Sequence, residues 1–139
     1  MLRYPAIYVP AEEGGFTIEF PDFDFMTEGD TMEELLMMAE DALNGVLAVR
    51  YEEALSIPAP SSLTGENVVY IDVRPEVEIP ILFRQWRKEQ GLSQGDIAEK
   101  IKAPYQTIQK LEKIGCNPTL KTLCKVAKAL GKKLLIDVA

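Results

Sequence analysis

A chain of 139 residues, 47% hydrophobic and 27% charged with a net charge of -7, has room for one ordinary domain or two small ones, and its composition is that of ordered protein. It has no histidine and two cysteines, Cys116 and Cys124, which removes the usual general base of hydrolases and leaves a cysteine-only zinc site half supplied. No window approaches eighteen apolar residues, and MLRYPAIYVP lacks the apolar core and cleavage pattern of a signal peptide, so a cytoplasmic protein without a membrane partner is expected.

The sharper quantity is where the charge lies. Residues 1–80 carry three cations (Arg3, Arg50, Arg74) against seventeen carboxylates, a balance of -14, whereas residues 81–139 carry twelve against five, a balance of +7. Such sorting points to an acidic and a basic module with different partners.

In chain order, apolar residues alternate on both sides of EEGG, predicting a hairpin of residues 3–9 with 15–20. Pro5 suits an edge or a strand start, because it has no N–H for a ladder. The stretch EFPDFDFMTEGDT, Glu19 to Thr31, holds five carboxylates and three phenylalanines without a cation, and a short third strand is expected around Phe25 to Thr27. From Thr31 the period becomes helical, with a stripe of Leu35, Leu36, Ala39, Ala42, Leu43, Val46 and Leu47 reaching at least Tyr51. Thr31 with Glu34 has capping-box spacing, and Asp30 with Glu33 is the alternative register. SIPAPSSLTGEN reads as an extended crossover, VVYIDVRP as a strand of the same sheet, and RPEVEIP as a hinge. The expected organisation is an α+β domain over residues 1–75, a hinge at 76–80 and an all-α domain over 81–139.

The all-α part reads as helices over 81–88, 93–100, 104–112 and 119–130, with Ser93 and Thr119 as caps and Pro104 at a first helical position. Both cysteines read as small buried hydrophobes. The tail KKLLIDVA can be a strand that packs back or pairs across a dimer. GLSQGDIAEKIKAPYQTIQKLE has helix-turn-helix spacing, with Ala98 at the helix crossing and Ile108 beneath the recognition helix. Tyr105, Gln106, Thr107, Gln109 and Lys110 are then the candidates to face a DNA major groove, and Gln94 to meet a phosphate. Lys100, Lys102, Lys113 and Lys121 add sequence-independent attraction. A basic protein-interaction module is the competing reading.

LSQGDIAEKIKAPYQTIQKLEKIGCNPTLKTLCKVAKALGKKLLI resembles the helix-turn-helix domain of the Cro/C1 (XRE) class. That resemblance gives Gln94 the backbone-contact role, Tyr105 and Gln106 the first base-facing positions, and Gln109 and Lys110 further contacts. IKAPYQ departs from the usual glycine turn, so Lys102 must take the turn at some conformational cost.

For the acidic part, Asp22, Asp24, Glu28 and Asp30 could hold magnesium in a nuclease-like site, although their spacing matches no calcium loop. Alternatively, Asp22, Phe23, Asp24, Phe25 and Glu28 form a face for a basic protein, with core and interface both open to the two phenylalanines. YPAIYVPAEEGGFTIEFPDFDFMTEGDTMEELLMMAEDAL resembles the HicB antitoxin family. The resemblance implies a degenerate, catalytically silent ribonuclease-H-like domain that occludes a small basic HicA messenger-RNA interferase. It further implies operon repression through double-stranded operator DNA, a homodimer or higher homo-oligomer, and no cofactor or metal. A regulator with an acidic ligand- or protein-sensing domain, and a carboxylate nuclease with a DNA-targeting module, are the alternatives.

Overall fold

The computed structural model describes residues 1–139, which divide into two compact units, Met1–Arg74 and Pro75–Ala139. The first unit is a four-stranded antiparallel sheet with one helix: β1 (Arg3–Pro10), β2 (Phe16–Phe20), β3 (Phe25–Gly29), α1 (Met32–Glu52) and β4 (Val68–Asp72), in the order β3-β2-β1-β4. Tyr4, Ala6, Ile18, Phe20 and Ile71 of the strands are buried, as are Leu35, Ala39, Leu43 and Leu47 at helical spacing on α1, so one sheet face and one helix stripe make the core. Tyr70, Val9 and Met26 are exposed large hydrophobics of the strands.

The β1–β2 turn closes through Ala11 N–H donating to the Gly15 carbonyl at 3.0 Å. Gly15 has φ +72, and a Cβ there would stand 2.7 Å from the Gly29 carbonyl oxygen. At Gly29 a Cβ would meet the Leu35 backbone nitrogen at 2.6 Å, which is how closely β3 and the first turn of α1 approach. Thr31 caps that helix: its Oγ1 accepts from Glu34 N–H at 3.1 Å, while the Glu34 carboxylate accepts from Asp30 N–H at 3.1 Å. The Thr31 register is therefore the one adopted.

Two expectations for this unit change. Pro5 lies in a central strand, paired with Tyr70 of β4, but β2 pairs with β1 only from Ile7 onward, so the strand has an open side at the proline. The buried stripe of α1 is narrower than the apolar stripe: Leu36 is exposed and Ala42 and Val46 are half-buried, while Asn44 is buried among the leucines. Asn44 accepts from Arg74 N–H at 2.9 Å and donates to the Glu40 carbonyl at 2.9 Å, tying the exit of β4 to α1. The extended crossover is held against the sheet, since Tyr4 Oη donates to the Pro58 carbonyl at 2.7 Å and Tyr70 Oη accepts from Leu63 N–H at 2.8 Å. Burial first, then the Asp22 charge, pushes the Tyr4 phenol up to about 12, so it remains a donor.

The second unit holds α2 (Pro75–Glu89), α3 (Gln94–Ile101), α4 (Tyr105–Leu111) and α5 (Leu120–Ala129). Phe83, Ile97, Ala98, Ile108, Leu111, Leu123, Val126, Ala127 and Leu130 form its core. Residues 76–80, expected as a hinge, are the first turns of α2. Pro75 fits the first helical position, where no intrahelical N–H is needed. Pro80 cannot donate to the Glu76 carbonyl four residues back, and that carbonyl instead accepts from Gly115 N–H at 3.0 Å. The proline that reads as a helix breaker thus fastens α2 to the loop following α4. The tail after Lys132 has no regular structure within the single chain.

Candidate DNA-binding and partner-binding surfaces

Helix α3 begins with a complete capping box: Asp96 N–H donates to Ser93 Oγ at 3.0 Å and Ser93 N–H to the Asp96 carboxylate at 2.7 Å. Those two Ser93 hydrogen bonds, backbone first, hold the Asp96 carboxyl below its usual range, with Lys100 adding attraction. The helix ends at Lys102 in the left-handed region, φ 55 and ψ 46, a conformation that strains a residue with a Cβ. Pro104 is the N-cap of α4 rather than its first residue, with φ -61 and ψ 147 and no side-chain cap. A proline cannot continue backward into the turn, so it sets the direction in which α4 leaves it.

On α4, Tyr105, Gln106, Gln109 and Lys110 are exposed and Ile108 and Leu111 are buried, which leaves one face free for a groove. Thr107 is half-buried and, with Lys110, Lys113, Asn117 and Thr119, lines an open groove of about 550 Å³ beside α4. Lys100, Lys102, Lys113 and Lys121 are all exposed. Gln94 is half-buried, and its Nε2 donates to Glu112 Oε1 at 3.2 Å. One of its amide hydrogens is thereby used by the protein itself.

Glu112 is a structural support that the sequence reading missed. It is buried, and Arg87 grips it with two hydrogen bonds of 2.7 and 2.8 Å, while Arg84 stands at 3.5 Å. The network links α2, the end of α4 and Gln94, fixing the recognition helix against the rest of its unit. The available signal was a glutamate between Lys110 and Lys113, directly after Leu111, in a module of twelve cations and five carboxylates. Of the two cysteines, Cys116 is half-buried, with burial pushing its thiol up, whereas Cys124 is exposed on α5, contrary to the expectation of two buried thiols. The α5 spacing explains the difference: Leu123, Val126 and Ala127 take the inward positions.

In the first unit the Phe/Asp segment separates into parts with different duties. Asp22 accepts from Ser61 N–H at 3.0 Å and from the Ser61 hydroxyl, fastening the crossover. Phe23 is buried, its ring 4.7 Å from Tyr4 and beneath the Arg50 guanidinium at 5.6 Å. Phe25 is half-buried and stacked on Phe20 at 4.9 Å. Asp24 occupies the turn with φ 56, and Asp24, Met26 and Glu28 are exposed. Asp22 and Phe23 therefore build the segment, and Asp24 and Glu28, with Glu19 and Asp30, are its exposed carboxylates.

The three cations of this unit are engaged within it. Arg3 pairs with Asp72 at 2.8 Å, Arg50 donates to the Ser56 carbonyl at 2.8 Å, and Arg74 reaches Glu40 at 2.9 Å and also Asp41. Those carboxylates raise the Arg74 pKa, Asp41 first. None of these contacts is with Glu19, Asp24 or Glu28.

A family model described as HicB_like antitoxin of bacterial toxin-antitoxin system matches residues 3–82, and a helix-turn-helix model matches residues 83–136. The chain is 32% identical over 138 residues to Antitoxin HicB 1 of Photorhabdus laumondii, spanning 99% of this chain and 87% of that protein. It is 31% identical over 134 residues to Antitoxin HicB of Escherichia coli K12, spanning 96% of each. A chain of a toxin-antitoxin complex from Streptococcus pneumoniae aligns over 66% of this chain and 90% of its own at 19% identity and TM-score 0.48, too distant a likeness to carry an argument. No helix is long and apolar enough to cross a membrane. Over most of its length, and with a helix-turn-helix domain following the acidic α+β unit, the chain belongs to the HicB-like antitoxin family.

Proposed function

We propose that the acidic unit neutralises a small, basic, HicA-like RNA-cleaving toxin by lying over its RNA-binding and catalytic surface, and that the helix-turn-helix unit represses the operon as a symmetric homo-oligomer. The observation that carries the first part is the engagement of Arg3, Arg50 and Arg74 inside their own unit, while Glu19, Asp24 and Glu28 stay exposed on β2, β3 and the turn between them. Such a surface imitates the charge of nucleic acid and steers a cationic partner, and the exposed Met26, on the face of Glu19 and Glu28, supplies apolar contact that slows release. The half-buried Phe25, stacked on Phe20 from the other face, adds to it only at the strand's edge. Asp22 and Phe23 act beneath this face by holding its loop in shape.

We read the fold of this unit as a degenerate ribonuclease-H-like domain without catalysis. Asp22 serves Ser61, which accounts for that carboxylate without a metal, and Asp24 stands in a left-handed turn that its residue type tolerates. On the DNA side, Gln106, Gln109, Lys110 and Tyr105 read base edges, Thr107 packs at the groove wall, and Gln94 meets a phosphate.

The test is co-purification of the chain with the basic protein encoded beside it, followed by RNA cleavage assays with and without the acidic unit. Binding and loss of cleavage are expected, and both weaken when Asp24 and Glu28 become lysine. A folded acidic unit that neither binds nor inhibits overturns the antitoxin mechanism. Magnesium-dependent cleavage by the chain itself, lost in Asp22→Asn or Asp24→Asn, would return the nuclease reading.

A further inference from the structure

The turn between β2 and β3 holds a small open cavity of about 180 Å³, lined by Glu19, Phe20, Pro21, Asp24, Phe25 and Met26. Its frame is fixed. The N–H groups of Phe23 and Asp24 both donate to the Phe20 carbonyl at 3.0 Å, Asp24 holds φ 56, and the Phe20 and Phe25 rings stack at 4.9 Å. Asp22 is fastened to Ser61 and Phe23 is buried against Tyr4, so the chain alone keeps the cavity in shape.

Size and lining restrict the occupant. The volume lies below the range of about 300–1,000 Å³ typical of pockets that take a whole small molecule. The Glu19 and Asp24 carboxylates are exposed, and the ion pairs of this unit run instead to Asp72, Glu40 and Asp41. A magnesium ion that keeps its waters has no use for walls of proline, phenylalanine and methionine. A long cationic side chain matches both parts, because its methylenes cover the apolar wall while its charged end meets the carboxylates. Arginine suits the pair better than lysine: its planar head is weakly hydrated and carries five donors, enough to serve two carboxylates at once.

We infer that this cavity seats a single arginine side chain of a basic protein partner, with its guanidinium shared by Glu19 and Asp24 and its stem lying on Pro21 and Met26. The inference rests on the reading of the acidic unit as a surface for a basic protein, and it names the contact that anchors that protein. Glu28 lies further along β3, outside the cavity, and steers the encounter without holding the side chain.

The experiment is a double-mutant cycle, read by surface plasmon resonance, between the full chain and the basic protein encoded beside it. This chain carries Glu19→Gln, Asp24→Asn or Glu28→Gln, and each arginine of the partner becomes alanine in turn. Asparagine tolerates the left-handed turn as aspartate does, so the frame is kept. Glu19→Gln and Asp24→Asn are each expected to weaken binding about tenfold or more, chiefly by faster dissociation, whereas Glu28→Gln slows association and costs less than about threefold. One arginine of the partner gives the same loss, and against that alanine variant Glu19→Gln and Asp24→Asn change affinity less than about threefold. Equal losses at Glu19, Asp24 and Glu28, all in the association rate, overturn the seat and leave a diffuse acidic surface. Coupling of the two carboxylates to different residues, or to no arginine, overturns it too, and in each of these cases the antitoxin reading stands. A chain that does not bind the basic protein overturns both.

Discussion

Gly29 and Gly45 are the same residue type under opposite constraints. At Gly29 an added Cβ would stand 2.6 and 2.8 Å from backbone atoms of Leu35, whereas at Gly45, in the middle of α1, it would meet nothing within 4 Å. Gly29→Ala is therefore expected to cost about 1–3 kcal/mol by prising β3 from α1, and Gly45→Ala to stabilise by about 0.5–1 kcal/mol through helix propensity alone. Denaturant midpoints with unchanged slopes check both, and equal effects at the two positions would refute the account. At this scale the sequence was partly legible. GGF announced a reversal and TEGDT a helix start, but neither reveals that Gly29 touches Leu35, because closeness between β3 and α1 is a property of packing. Asn44 was illegible for the same reason: its partners, Arg74 and the Glu40 carbonyl, meet only when β4 lies beside α1.

Among the elements, α3 is the most completely specified by local chemistry. Ser93 and Asp96 cap it reciprocally, and the depressed Asp96 pKa means that folding favours the charged form. Its contribution is full above the ordinary carboxylate value and is lost as pH falls through the lower folded value. Asp96→Ala should lower the melting temperature of the helix-turn-helix unit at neutral pH, with the gap to wild type closing below about pH 4. Melting curves from neutral to acid pH decide this, and a constant gap would mean that the carboxylate is not the source. Helix α2 teaches the reverse lesson. Two prolines within RPEVEIP read locally as a hinge, yet the segment is helical because Gly115 takes the carbonyl that Pro80 leaves unserved. A bond between residues 76 and 115 has no signature in either neighbourhood.

For the whole molecule, the division of charge between residues 1–80 and 81–139 predicts that the two partners can be lost separately. Gln106→Ala with Lys110→Ala should weaken operator binding about tenfold or more and reduce its salt dependence by about one ion, leaving toxin inhibition intact. Binding isotherms at several salt concentrations, paired with the RNA cleavage assay, test this. Normal operator affinity in the folded double variant would remove α4 as the reading surface. The independence follows from each unit having its own core, Tyr4 to Ile71 in one and Phe83 to Leu130 in the other.

By itself the sequence determined the order of elements, the opposite charges of the two halves, the helix-turn-helix spacing and the caps at Ser93 and Thr119, and it narrowed the α1 cap to Asp30 or Thr31, because periodicity, charge and capping act over a few residues. Only the tertiary structure decided which acidic side chains are displayed. Asp22 is spent on Ser61, Phe23 on Tyr4, and Gln94 in part on the buried Glu112, since each of those partners is distant along the chain. A side chain's availability to a partner depends on what the fold has already placed against it, and local sequence does not encode that neighbour.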